Sequence, residues 1–214
     1  MNEYSFMAAL AETLLNNGRR GRRNMNKKEL IRLSATKIMA KEGFHKTKIQ
    51  AIAKEADIAV GTVYIYFKSK AGILDYIFET QHKKVEEFTK KLESKNIAPI
   101  EKIKKMLRFH FSGLSENPNL ARVMAQESRS PPRNSSSCSK DGSDSVPEVF
   151  QKMLHDSKLM GEIRDIDTDL FGAIIYFIGV ETAYLLQIRG KDDNHYKEFS
   201  ELLTFIINGI EKKK

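Results

Sequence analysis

Residues 167–189 set the tightest limit on what this chain can fold into. They carry Leu170, Phe171, Ile174, Ile175, Phe177, Ile178 and Leu185, which at helical spacing fall on more than one face. A helix apolar on two faces needs two partners. One is the body of its own subunit. The expected second partner is another copy of the chain; the alternative is a central helix in a monomer. Gly172, Ala173, Gly179 and Ala183 permit close helix approach. The longest unbroken apolar run, 170–180, falls short of the roughly 20 residues that a bilayer span needs, so no membrane partner is expected.

The same helical period recurs along the chain. Leu30, Ile31, Ala35, Ile38 and Met39 form one face of a helix that Asn26 can cap, with Glu29 at its third position and Gly43 as its stop. Thr47 is the cap candidate of a second helix, with Ile49, Ile52 and Ala53 inward. A short turn then leads to GTVYIYFKSK. Another helix starts near Lys70 and runs through Ile73, Leu74, Ile77 and Phe78 toward Leu92. Pro99, a favoured first helical residue, restarts the pattern with Ile100, Ile103, Leu107, His110, Phe111 and Leu114 on one face. Further helices are expected at 119–129, 147–160 and 196–212. Residues 1–17 read as a short amphipathic helix, and the Pro/Ser-rich stretch 130–146 reads as a mobile loop. No strand pattern and no internal repeat emerges, so the fold class is all-α.

Charge is distributed unevenly. The net charge is +8, yet between Arg19 and Lys70 fourteen Lys and Arg face four acids, a local balance of +10 that leaves −2 elsewhere. A polyanion such as nucleic acid fits this stretch, and a solvated basic surface is the alternative. A lone Cys138 builds no intramolecular disulfide and no cysteine-based zinc site, and it suits a reducing cytoplasm. The N-terminus has acidic Glu3 and Glu12 and no basic start, unlike a secretory signal. Phosphate loops, nucleophile elbows and H-E-x-x-H are absent, and the His residues at 45, 82, 110, 155 and 195 lack ligand spacing. Neither catalysis nor a metal or cofactor is expected.

Three short helices with a tight turn before the third make a helix-turn-helix. Its third helix must enter a major groove about 12 Å wide. In GTVYIYFK, Val63 and Phe67 are spaced to pack inward, which leaves Gly61, Thr62, Tyr64 and Tyr66 facing out. Exposed tyrosine hydroxyls suit phosphates, and Gly61 lets the backbone approach DNA closely; ordinary packing of Tyr64 and Tyr66 is the alternative. The stretch TKIQAIAKEADIAVGTVYIYFKSK resembles the TetR-family signature, a Gly-Thr-hydrophobic-Tyr-x-Tyr-Phe-x-x-Lys run, and the match covers about residues 27–78. The resemblance implies that Thr47 and Lys48 open the second helix against the phosphate backbone. It further implies that Thr62, Tyr64 and Tyr66 contact phosphates or bases, that Val60 and Gly61 lie near base edges, and that Lys70 meets a phosphate. Ala59 stands where the family often has Ser or Thr, so the recognition helix lacks a side-chain cap; Asp57 or a DNA phosphate is the expected substitute. Arg22 and Arg23, in the basic arm 19–24, can enter a minor groove or simply add nonspecific attraction.

The resemblance also implies a C-terminal domain that binds a ligand and dimerises through its last two helices. The organisation expected is an extension with a basic arm (1–24), a helix-turn-helix domain (25–70) and a ligand-binding and dimerisation domain (71–214). Leu107, His110, Phe111 and Tyr176 are candidate pocket residues; His110 is alternatively a satisfied core residue. The pattern FxxxxxNPxLARVMxxESR is similar to the fatty-acid-degradation regulators, which respond to long-chain acyl-CoA. That likeness implies a deep apolar tunnel, with Arg122 and Arg129 near its mouth to meet the CoA phosphates. The function expected is a cytoplasmic homodimeric repressor that binds palindromic double-stranded operator DNA and is released by a small hydrophobic effector. A constitutive DNA-binding dimer with no effector is the alternative.

Overall fold

The computed structural model describes residues 26–127, 146–188 and 196–212. The expected helix at 1–17, the arm with Arg22 and Arg23, Arg129, Cys138 and nearly all of the 130–146 stretch lie outside them. The described residues form α1 (Lys27–Glu42), α2 (Ile49–Glu55), α3 (Val60–Tyr66), α4 (Lys70–Glu93), α5 (Pro99–Glu116), α6 (Pro118–Glu127), α7 (Val146–Leu159), α8 (Thr168–Ile188) and α9 (Tyr196–Ile210). No strand occurs among them, only an isolated bridge between Ile163 and Glu211. The chain divides into two compact units, Met1–Leu74 and Asp75–Lys214.

In the first unit, Asn26 Oδ1 accepts the Lys28 N–H at 3.0 Å and so caps α1. Gly43, at φ +79°, ends it with its own N–H on the Met39 carbonyl. The core is Ile31, Ala35, Met39, Ile52, Ala53, Val63, Phe67 and Ile73, all buried. The turn between α2 and α3 passes through Asp57 at φ +54°, a left-handed conformation that short polar side chains tolerate. The cap of α2 falls one residue later than expected. Lys48 holds that position without a side-chain bond, while Thr47 is buried and turns its hydroxyl back to donate to the Gly43 carbonyl at 2.8 Å. A hydroxyl already satisfied by the preceding turn has no reason to swing round to the α2 amides.

In the second unit, α5 packs against α6, α7, α8 and α9, and α8 packs on α5, α6 and α7. Phe88 of α4 stacks on Phe109 of α5, with ring centroids 4.1 Å apart. Two glycines set how closely α8 lies on its neighbours. A Cβ on Gly172 would stand 2.7 Å from the Gln151 backbone nitrogen, and one on Gly179 would overlap the Phe111 ring. The segment between α7 and α8 ties the start of α5 to the end of α9. Glu162 accepts the Ile100 N–H at the start of α5, and Arg164 and Ile210 share a backbone bond of 2.8 Å.

Residues 168–185 of α8 are long and apolar enough to cross a bilayer by length and composition. The unbroken run 170–180 led to the opposite expectation because it stops at Glu181, whereas the helix continues past that residue. One face of α8, with Ile175, Tyr176, Val180 and Ala183, is buried in the unit. The other carries Leu170, Ile174, Phe177 and Leu185 in the open at i, i+4, i+7 and i+15, and Phe205 of α9 is also exposed.

Candidate nucleic-acid interface and effector core

The recognition helix α3 is held by one edge. Val63 and Phe67 are buried beneath it, and the Lys28 ammonium lies 5.7 Å from the Phe67 ring. At about 100° per residue, Tyr64 and Tyr66 then stand on the two flanks, while Gly61 and Ile65 lie opposite the buried edge. Exposure follows that geometry: Tyr64 is 53% exposed, Tyr66 39% and Ile65 78%. Gly61 is exposed, and a Cβ there would meet nothing within 4 Å. Thr62 and Val60 are half-buried. Ala59 is the N-cap and makes no side-chain cap bond; its carbonyl accepts the Thr62 N–H at 2.9 Å. Ile65 was absent from the expected outward face, although its position two residues past Val63 is a sufficient signal.

Lys48 is exposed at the start of α2, as are Lys46 before it and Lys68 after α3; none of the three has an ion pair among the described residues. Lys70 braces a turn of the first unit. Its ammonium donates to the carbonyls of Phe44 at 2.6 Å, His45 at 3.0 Å and Thr47 at 2.9 Å, and it lies 4.5 Å from the Phe44 ring. Those bonds aim the ammonium at the α1–α2 turn rather than outward. Ser69 Oγ accepts the Gly72 N–H in the first turn of α4. Lys70 thus fixes the turn that carries Thr47 and Lys48, a link across more than twenty residues that spacing does not reveal.

In the second unit the structure brings Leu107, His110, Phe111 and Tyr176 together, all buried. The His110 ring meets Phe150 edge-on at 5.9 Å and Tyr176 at 5.4 Å, and Phe111 lies 5.1 Å from Phe199. Neither nitrogen of His110 has a hydrogen-bond partner. Burial lowers its pKa to about 4 and raises that of Tyr176 to about 12, so both are neutral at pH 7. Arg122 is half-buried on α6, with a buried Nε that no group accepts. Among the described residues, a pocket between α5 and α9 is lined by Arg108, Phe111, Ser112, Ser115, Phe199, Ser200 and Leu203.

Residues 31–77 match the family of bacterial regulatory proteins, tetR family. That match covers the helix-turn-helix of the first unit, which is therefore similar to the DNA-binding domain of tetR-family regulators. The chain is 36% identical over 97 residues to the fatty acid metabolism regulator protein of Bacillus subtilis (strain 168), a segment that is 45% of this chain and 50% of that one. The matched segment therefore spans about half of that relative's length. Its fold is similar to the transcriptional regulator FadR from Bacillus subtilis in complex with stearoyl-CoA, at 26% identity and a TM-score of 0.68, covering 86% of this chain and 99% of that one. It is also similar to the fatty acid degradation regulator FadR from Bacillus halodurans, at 24% identity and a TM-score of 0.68, covering 87% and 97%. All three are regulators.

Proposed function

We propose that the chain is a repressor that binds palindromic operator DNA as a homodimer in the cytoplasm and leaves it when a small hydrophobic effector enters the C-terminal unit. The observation that carries this reading is the outward face of α3, where two half-exposed tyrosines flank a glycine with open space above it. Tyr64, Tyr66, Thr62 and Lys48 serve the sugar–phosphate walls, and Val60 and Gly61 come close to base edges. Arg22 and Arg23 add minor-groove attraction. Lys70 acts through the turn it braces, and Thr47 through its bond to Gly43. An operator phosphate is the acceptor for the uncapped first turn of α3.

The effector site centres on Leu107, His110, Phe111 and Tyr176, with Arg122 and Arg129 for an anionic headgroup. Two unpartnered nitrogens in a closed core cost on the order of 1–3 kcal/mol each, and a polar atom of an entering ligand offsets that cost. The stearoyl-CoA held by the Bacillus subtilis relative makes long-chain acyl-CoA the first compound to test. A second copy covers Leu170, Ile174, Phe177, Leu185 and Phe205.

Titration of a palindromic duplex selected from random sequence should lose about 10³–10⁵-fold in affinity between 50 and 200 mM salt, as for six to ten neutralised phosphates. A flat salt response overturns the DNA reading. The filled core around His110 favours a second reading, a constitutive DNA-binding dimer. Calorimetry of acyl-CoA with and without saturating duplex separates the two, because coupling is reciprocal. Equal affinities exclude acyl-CoA as the effector, and absence of coupling for every apolar ligand tried selects the constitutive dimer.

A further inference from the structure

We infer that Ile65 is the side chain with which this chain reads the 5-methyl group of thymine at one position in each half-site of its operator. The inference rests on the DNA-binding reading above and adds a base preference to it. A single apolar residue on a surface needs no explanation in itself. Ile65 differs through its placement. At 78% exposure it is the most exposed large apolar residue among those described, and it sits on a helix of seven residues whose opposite edge is locked by Val63 and Phe67.

Three further features place it at the floor of a groove. Gly61 is one turn before Ile65 on the same line of α3, and no side chain stands there to hold the helix away from a surface. Tyr64 and Tyr66 stand to either side, where their hydroxyls reach two opposing walls. Lys46, Lys48 and Lys68 are exposed in the same unit, which suits walls that are anionic. A helix docked with its tyrosines on both walls carries the residue between them deepest.

What Ile65 then meets follows from its chemistry. The major-groove edges of G, C and A present only hydrogen-bonding groups, and a branched alkyl side chain would desolvate them without compensation. Thymine alone adds a methyl group. The β-branched side chain is stiff at χ1, so little rotamer freedom is lost when it packs there.

The test uses the full chain and the palindromic duplex that it enriches from a random library. Each thymine is replaced in turn by deoxyuridine, which removes only the methyl group. The wild type should lose about 4-fold in affinity at one symmetric pair of positions per methyl removed, the value of one buried methylene. In Ile65→Ala the thymine-to-uracil ratio at that pair should fall to one, while Ile65→Val retains most of it. A melting midpoint equal to wild type, as the exposure of Ile65 requires, shows that the variants are folded. A duplex bound with normal salt dependence but with no uracil position whose effect Ile65→Ala removes overturns the thymine assignment and leaves the DNA reading standing. Failure to enrich any duplex overturns the DNA reading, and this assignment with it.

Discussion

Replacing His110 with leucine removes a buried ring whose nitrogens have no partner, and the consequence depends on pH in a calculable way. In the folded chain burial holds the imidazole pKa at about 4, against 6.5 when unfolded. The folded pKa is depressed, so below pH 6.5 the unfolded chain binds the proton and the folded chain does not. Stability is therefore fully present above pH 6.5 and is lost progressively as pH falls toward 4, at about 1.4 kcal/mol per unit. Between pH 7 and pH 5 those two values give the wild type a loss of about 2 kcal/mol from this one residue. His110→Leu lacks that loss. At neutral pH it should be as stable as wild type or slightly more so, because an apolar group of similar size replaces an unsatisfied polar one. Urea unfolding of both proteins at one protomer concentration, at pH 7, 6 and 5, measures the difference directly. Other titrating groups, including Glu116 with its raised pKa, are common to both proteins and cancel. Parallel pH profiles would refute the reasoning and mean that His110 finds a partner or water in solution.

Lys70→Met removes three donors from the α1–α2 turn and should lower stability by on the order of 1–3 kcal/mol, read by thermal melting without DNA. A lysine acting only on phosphate would leave that melt unchanged. The glycines should separate cleanly: Gly61→Ala keeps or raises the melting midpoint yet weakens duplex binding in a gel-shift titration. Gly179→Ala, whose Cβ overlaps the Phe111 ring, costs about 1–3 kcal/mol by denaturant titration. Phe177→Glu places a charge on the outward stripe of α8 and should sediment as a monomer at micromolar concentration where wild type is a dimer. A wild-type chain that is itself monomeric there removes the dimer from the proposal.

Much of the fold was legible because its punctuation is local. Asn26 and Gly43 frame α1, Pro99 opens α5, and apolar residues at helical spacing fill the intervals, so helix positions follow from neighbours in sequence. The inward pair Val63 and Phe67 likewise fixes which side of α3 faces out. What escaped depends on proximity in space. Thr47 looked like a helix cap until its hydroxyl found the Gly43 carbonyl. The bonds of Lys70 to three carbonyls of a distant turn have no signature in its neighbours. Ile65 escaped for a different reason: an apolar residue read in sequence is assigned to a core by default. The aromatic cluster assembles from α5, α7, α8 and α9, and only that assembly shows that His110 lacks a partner.

The outward stripe of α8 also bears on dosage. If Leu170, Ile174, Phe177 and Leu185 are covered only by a second copy, the active species forms at a rate set by encounters between protomers. At concentrations below the dissociation constant, dimer abundance, and with it occupancy of a palindrome, rises as the square of the amount of chain made. Halving synthesis would then cut occupancy about fourfold in that regime. A cell would obtain a steep threshold in gene control from four apolar side chains on one helix, with no cooperativity between operators.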